Sequence, residues 1–336
     1  AEAAAGQAGA AAAGPGAAGM PIPLGPDGQP LSAGALDPAA LAEGAPGEGA
    51  EPEDDFEVVE DTDADGNVYS AQERVGGVTH GAVETYDENG SVIDQMIWVD
   101  GKPHGPLKSF DEGGNPKQEL EYVDGVVEGR VIAYDDNKKR LQDAHFKGGV
   151  LHGEALFYRE GMLAMKMSYA EGVPNGPSVT YDANENVVQE AGYAAGKLNG
   201  PARWFDKAGQ LVRTATYLND QLHGELVDYH PIGTPMRRAQ YMLGKQSGKS
   251  IEYYEDGEIQ REETYVNDLL EGESIGYYND GTMMDKAVYR EGRRKGEHQK
   301  FDANGDPLDD QGGGDGDDDN GGGGSGLSRL VKKFVG

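Results

Sequence analysis

Three stretches carry residue types that can do chemistry. "DTDADGNVYSAQ", residues 61–72, sets Asp61, Asp63 and Asp65 at positions 1, 3 and 5 of a loop, with Gly66 at 6 and Val68 at 8. That is most of an EF-hand calcium loop, but its twelfth position is Gln72, where a bidentate Glu is needed. "GGDGDD", residues 313–318, matches one copy of a glycine- and aspartate-rich calcium repeat and lacks the apolar residue that follows in such repeats. Four of the seven histidines, His80, His104, His152 and His223, each directly precede a glycine. No nucleophile, histidine and acid occur together at a unique position. The reading is non-enzymatic, with no catalytic residue and no cofactor.

Composition bounds the rest. The 336 residues include no cysteine, which excludes disulfides, thiolate metal sites and thiol catalysis. The formal net charge is -31, so most of the surface should repel nucleic acid and anionic lipid and favour cationic partners. No run approaches the length of about 18 apolar residues that a membrane span needs. The compartment is unknown from the sequence. Residues 1–55 hold no Lys or Arg and are otherwise Ala, Gly, Pro and acids, a composition expected to be disordered. Within them "MPIPLGPDGQPL" reads as a spacer or a short docking motif.

The elements that position these residues come from a repeat. A glycine recurs at Gly81, Gly105, Gly129, Gly153, Gly176, Gly200, Gly224, Gly248, Gly272 and Gly296, at steps of 24 with one of 23. The short step falls in the turn "YREGM". An aromatic stands five residues after each glycine and another near seventeen. The candidate binding aromatics are Tyr86, Trp98, Phe110, Tyr122, Tyr134, Tyr158, Tyr181, Tyr193, Phe205, Tyr217, Tyr229, Tyr241, Tyr253, Tyr265, Tyr277 and Tyr289.

Each unit reads as a β-hairpin with an Asp/Asn/Gly turn such as "DENG", joined to the next by a tight link such as "VDGKPHG". The fold class is all-β: an elongated single antiparallel sheet of about ten stacked 24-residue hairpins over residues 56–309, with disordered flanks. At ~4.8 Å per strand it would span roughly 100 Å before twist. Two small apolar rows, Ile132, Leu156, Val227 and Ile251 in one and Leu120, Ala144, Ala215 and Ala239 in the other, suggest one apolar face. In this register "DADG" falls 24 residues before "DENG", so Asp63, Asp65 and Gly66 are explained as the turn of a preceding partial unit. A calcium site at Asp61, Asp63 and Asp65 is the less favoured reading. The histidine slot also holds Glu128, Asn175, Asn199, Ser247, Glu271 and Lys295, so it reads as a polar turn position.

The links Trp98-x-x-Gly101-Lys102-x-His104-Gly105, Tyr193-x-x-Gly196-Lys197-x-Asn199-Gly200 and Tyr289-x-x-Gly292-Arg293-x-Lys295-Gly296 resemble the MORN repeat. The usual unit has a further Gly two residues after the core Gly, where this chain has Val83, Leu107, Val131 and Ala155. With its turns and period, the array is more similar to the bacterial MORN-variant repeats, proteins often labelled antitoxins. The resemblance implies a scaffold or adaptor binding protein partners. Its alternatives are an antitoxin or immunity-type protein masking a basic partner, and a peripheral binder of anionic lipid.

After the array come an acidic, glycine-rich linker, residues 310–326, and a short amphipathic segment, residues 327–336. Its apolar stripe is Leu327, Leu330, Val331 and Phe334, with Lys332 and Lys333 beside it. This tail is a candidate docking peptide for a protein partner that is basic or presents an apolar groove. Capping its own array is the next reading, and lying on a membrane surface is the less favoured one.

Overall fold

The computed structural model describes residues 56–308. Twenty-two strands form an antiparallel sheet, and the described residues contain no helix. The expected flanks and the tail lie outside the described residues. The chain divides into two compact units, residues 56–186 with Tyr193–Gly196, and Val187–Gly192 with residues 197–308.

The hairpins follow from local chemistry. In most turns after a first strand an aspartate accepts hydrogen bonds from the amides two and four residues on. Asp87 takes those of Asn89 and Ser91, and Asp111 those of Gly113 and Asn115. The links are two-residue turns with both residues at positive φ, as at Asp100 and Gly101 (49° and 75°) or Asp124 and Gly125 (51° and 86°). That geometry matches the twist of the strands it joins. The short step is a turn of the same kind at Glu160 and Gly161. The unit holding Asp63 is a whole hairpin, Phe56–Thr62 paired with Val68–Val75, and not the partial unit expected.

The recurring glycine is a bulge. All ten have φ between 74° and 120°, which a residue with Cβ rarely adopts. Opposite each, on the return strand, stands the second aromatic, as in Gly105↔Tyr122 and Gly224↔Tyr241. A second register shift falls just before the first aromatic, as between Ala133 and Tyr134. Alternation continues through the bulge, with Val127, Val131 and Ala133 all on the core side.

In the N-terminal unit one face is the core. Its central row runs Val83↔Met96↔Leu107↔Leu120 and continues as Val131↔Ala144↔Ala155↔Met167. Val131, Ala144, Ala155 and Met167 are at most 1% exposed. So the slot where the usual repeat has a second glycine is filled here by a core-row residue, buried and apolar at Leu107, Val131 and Ala155. In the C-terminal unit the same row is smaller and more polar: Ala202↔Ala215↔Leu226↔Ala239↔Ser250↔Glu263.

The turn carboxylates make stability sensitive to acid. Asp63, Asp87, Asp111 and Asp302 are held below the usual 3.8, led by the side-chain amides of Asn67 and Asn115 at Asp63 and Asp111 and by the backbone amides of Ser91 and Asp306 at Asp87 and Asp302. Their stabilisation is complete above the ordinary carboxylate value and lost as pH falls through the lowered native ones. Urea midpoints measured from pH 6 down to pH 2.5 should therefore fall more steeply below pH 4 in the natural chain than in Asp87→Ala/Asp111→Ala. Parallel curves would remove the turn aspartates as the cause and leave net charge as the pH-dependent factor.

Candidate functional site

The apolar rows and the aromatics divide between two faces, contrary to the single apolar face expected. Phe146, Ala144 and Gln142 alternate along one strand on the core face, while Ile132 pairs with Asp143 on the other. The first aromatics stand with Ile132. Tyr134 donates its hydroxyl to Glu119, the register partner of Ile132, at 3.3 Å, and Tyr86 donates to Glu84 at 2.8 Å. Tyr277 donates to Glu262 at 3.4 Å. By the shared register, Phe110, Tyr158, Tyr181, Phe205, Tyr229 and Tyr253 belong to this outer row, each partly exposed.

The outer face repeats an alternation of β-branched or leucine side chains with charged ones. In the N-terminal unit it reads Lys108↔Glu119↔Ile132↔Asp143↔Leu156↔Lys166↔Val179. In the C-terminal unit it reads Val227↔Arg238↔Ile251↔Glu262↔Ile275↔Lys286. Arg130 grips Asp143 with two bonds of 2.7 and 2.6 Å, and Arg140 adds a third at 3.4 Å. Arg130, then burial opposing it, holds the Asp143 carboxyl below its ordinary value. The tyrosine hydroxyls are pushed up, mainly by the Glu84 hydrogen bond at Tyr86 and by burial at Tyr134 and Tyr277. The outer phenols therefore stay neutral donors beside carboxylates.

The second aromatics occupy the core face. Trp98 and Tyr122 are buried, and Tyr193, Tyr217, Tyr241, Tyr265 and Tyr289 are partly so. Burial pushes Tyr169 up to about 12 and Tyr265 higher still. These rings pack the glycine bulges, so the sequence-derived set of binding aromatics reduces on the outer face to its first-strand members.

The carboxylates of Asp61 and Asp63 accept hydrogen bonds within their own hairpin. Asp63 accepts from the Asp65 and Asn67 amides and from the Asn67 side chain, all within 3.0 Å. Asp61 accepts from Ser70 at 2.9 Å and Gln72 at 3.5 Å. Among the described residues no group of three His, Asp or Glu side chains is placed to hold a metal ion. The histidine slot lies within the first strand and not in the turn expected, and Nδ1 of His80, His104 and His223 accepts from the amides of Asp100, Asp124 and Leu243 in the next link. Glu128 and Glu271 do the same for Gly148 and Glu291.

Two features lay beyond sequence reasoning. On the core face of the C-terminal unit the register assembles a row of alternating charge, Arg213↔Asp228↔Arg237↔Glu252↔Arg261↔Gly276↔Asp285↔Lys300. Arg213 bonds Asp228 at 2.5 Å. Arg261 reaches across Gly276 to Asp285 at 2.9 and 3.2 Å, and His298 approaches Asp285 at 3.3 Å. The second is a ladder at the turns, where His230, Tyr254 and Tyr278 replace the usual aspartate. Each side chain bonds a carbonyl 23 residues on, that of Tyr253, Tyr277 or Phe301. The signal was the loss of Asp from three consecutive slots.

No helix among the described residues is long and apolar enough to cross a membrane. The family described as the MORN repeat variant matches residues 103–124, 198–219 and 246–267. No curated protein matches the chain. Among solved structures it is similar to the GtfA/B complex bound to UDP and GlcNAc, at 18% identity over 39% of this chain and 21% of that one, with a TM-score of 0.14. It is also similar to TcdB2-TccC3-Cdc42, at 12% identity over 71% of this chain and 16% of that one, with a TM-score of 0.19. The chain thus spans about a fifth or less of the length of those structures. The three matched segments each run from a first strand through its turn into the return strand and link, so at these positions the hairpin described above is the unit that matches the MORN repeat variant.

Proposed function

We propose that the chain is a non-enzymatic repeat scaffold that binds a protein partner across its outer face. The observation that carries this is the tyrosine–glutamate pair recurring there, at Tyr86–Glu84, Tyr134–Glu119 and Tyr277–Glu262. A phenol ring beside a carboxylate suits an Arg or Lys side chain, which gains ring-face attraction and an ion pair together. Tyr86–Glu84 and Tyr134–Glu119 stand two hairpins apart in the N-terminal unit, about 20 Å at ~10 Å per hairpin, a spacing that suits a partner presenting basic side chains at that interval. The net charge of -31 adds steering toward such a partner. Neither a cofactor nor a nucleic acid is part of this reading.

Capture from the host lysate tests it. The partner retained by the natural chain should be lost, by tenfold or more in affinity, from Tyr134→Ala/Tyr158→Ala, while circular dichroism stays unchanged. Retention by that variant at full affinity would contradict the outer face as the site.

A further inference from the structure

The last links of the array carry a surface that nothing described covers. Arg290 and Arg293 oppose each other in register, with Arg294 and Lys295 following. All four are exposed, and among the described residues none is in an ion pair. Like charges directly opposite destabilise a strand pair, so this link calls for anions. Glu291 lies between Arg290 and Arg293 in the link, and the preceding links, which also hold Asn267 and Asp268, expose apolar side chains: Leu243 is 56% exposed, Val266 47% and Leu269 48%. The links stack on each other. The Gly292 amide donates to the Leu270 carbonyl at 2.9 Å, and a Cβ at Gly292 would lie 3.3 Å from Leu269 Cδ2. The apolar and cationic parts are therefore continuous.

One segment of this chain has the matching order of chemistry. After Leu308 come Asp309, Asp310, Asp315, Asp317, Asp318 and Asp319 with no cation before Arg329, then the apolar Leu327, Leu330, Val331 and Phe334. The length also fits. Leu308 donates to the Lys300 carbonyl at 2.8 Å, at the turn end of the last strand, Arg293–Lys300. Eight residues of strand put the cationic link about 26 Å away, and residues 309–319 reach up to ~37 Å. The glycine-rich stretch from 320 to 326 then allows the apolar residues to turn onto Leu243, Val266 and Leu269.

We infer that the last links are the docking surface for this chain's own residues 309–336, with the aspartates on Arg290, Arg293 and Arg294 and the apolar tail on Leu243, Val266 and Leu269. The tail so placed covers the end of the array and is not a free hook for a partner. This inference is independent of the partner proposed for the outer face.

The chain holds no cysteine, so two single substitutions can be spin-labelled without interference. Lys245→Cys and Gly336→Cys in the full chain should give a short, narrow distance distribution. Arg293→Glu/Arg294→Glu and Leu330→Asp/Phe334→Asp should each broaden it, and 1 M salt should broaden it in part. A broad distribution in the otherwise natural chain overturns the inference. So does a short distance that vanishes when labelled chain is diluted into an excess of unlabelled chain, since the tail would then dock on a second copy.

Discussion

Gly248→Ala is expected to lower stability by about 3 kcal/mol, read as a shift of the urea midpoint. Gly248 has φ +120°, and a Cβ there would stand 2.9 Å from the Cβ of Gln240. The backbone conformation is one that only glycine adopts readily, and the obstruction is a rigid atom rather than the end of a flexible side chain. Gly257, in a hairpin turn, supplies the comparison. Its φ is +95° but nothing lies within 4 Å, so Gly257→Ala should cost only the conformational part, roughly 1–2 kcal/mol. Equal effects at the two positions would mean that close strand approach adds nothing to the cost at Gly248. The same bulge holds Gly248 opposite Tyr265, so loss of ring burial should accompany unfolding in tyrosine fluorescence.

Gly276→Ala is expected to cost ~2 kcal/mol for a different reason. Gly276 sits in the charged row between Arg261 and Asp285, and its φ is not positive. A Cβ there would lie 2.5 Å from Asp285 Oδ2 and 2.8 Å from Arg261 Nη2. The side chains are 27% and 12% exposed, so separating them leaves a largely desolvated carboxylate without its partner. In Arg261→Met/Asp285→Leu no pair remains to break, and the same Gly→Ala change should be nearly neutral or stabilise slightly, since alanine loses less backbone entropy in a strand. A double-mutant cycle reads the difference as a coupling of 1–2 kcal/mol. Strict additivity would show that the glycine is not there to let the ion pair close.

Much of this architecture could be read from residues alone, for physical reasons. Gly105 and its equivalents, Asp87 and Asp111, and the paired turn residues at Asp124–Gly125 each answer a local demand of φ or hydrogen bonding, so they recur at the repeat period. Faces are another matter. Tyr122 and Tyr134 both stood in one set of candidate binding aromatics, because the sequence does not show how neighbouring strands pair. Alternation is unbroken along the strand of Tyr134, with Val127, Val131 and Ala133 inward and Tyr134 outward, and the pairing of Tyr122 with Val127 puts the two rings on opposite faces. The charged row was hidden for a related reason. Its members lie 15 and 9 residues apart in turn, Arg213 to Asp228 to Arg237 to Glu252 to Arg261, and only the register aligns them. The position two after each core glycine was visible as a departure from the usual MORN unit. Its purpose emerged once Leu107, Val131 and Ala155 were found in the buried row. In the calcium-like loop Asp63 gives to its own turn the carboxylate oxygens that a metal would take.

Hydroxyl-radical footprinting of the chain with and without its captured partner tests the proposed binding face most directly. Partner binding on the outer face predicts protection of Tyr86, Tyr134, Tyr158 and Tyr277, with the buried Trp98 and Tyr122 unchanged. Protection confined to the core-face residues or to the links, with those four tyrosines as reactive as in the free chain, would contradict it.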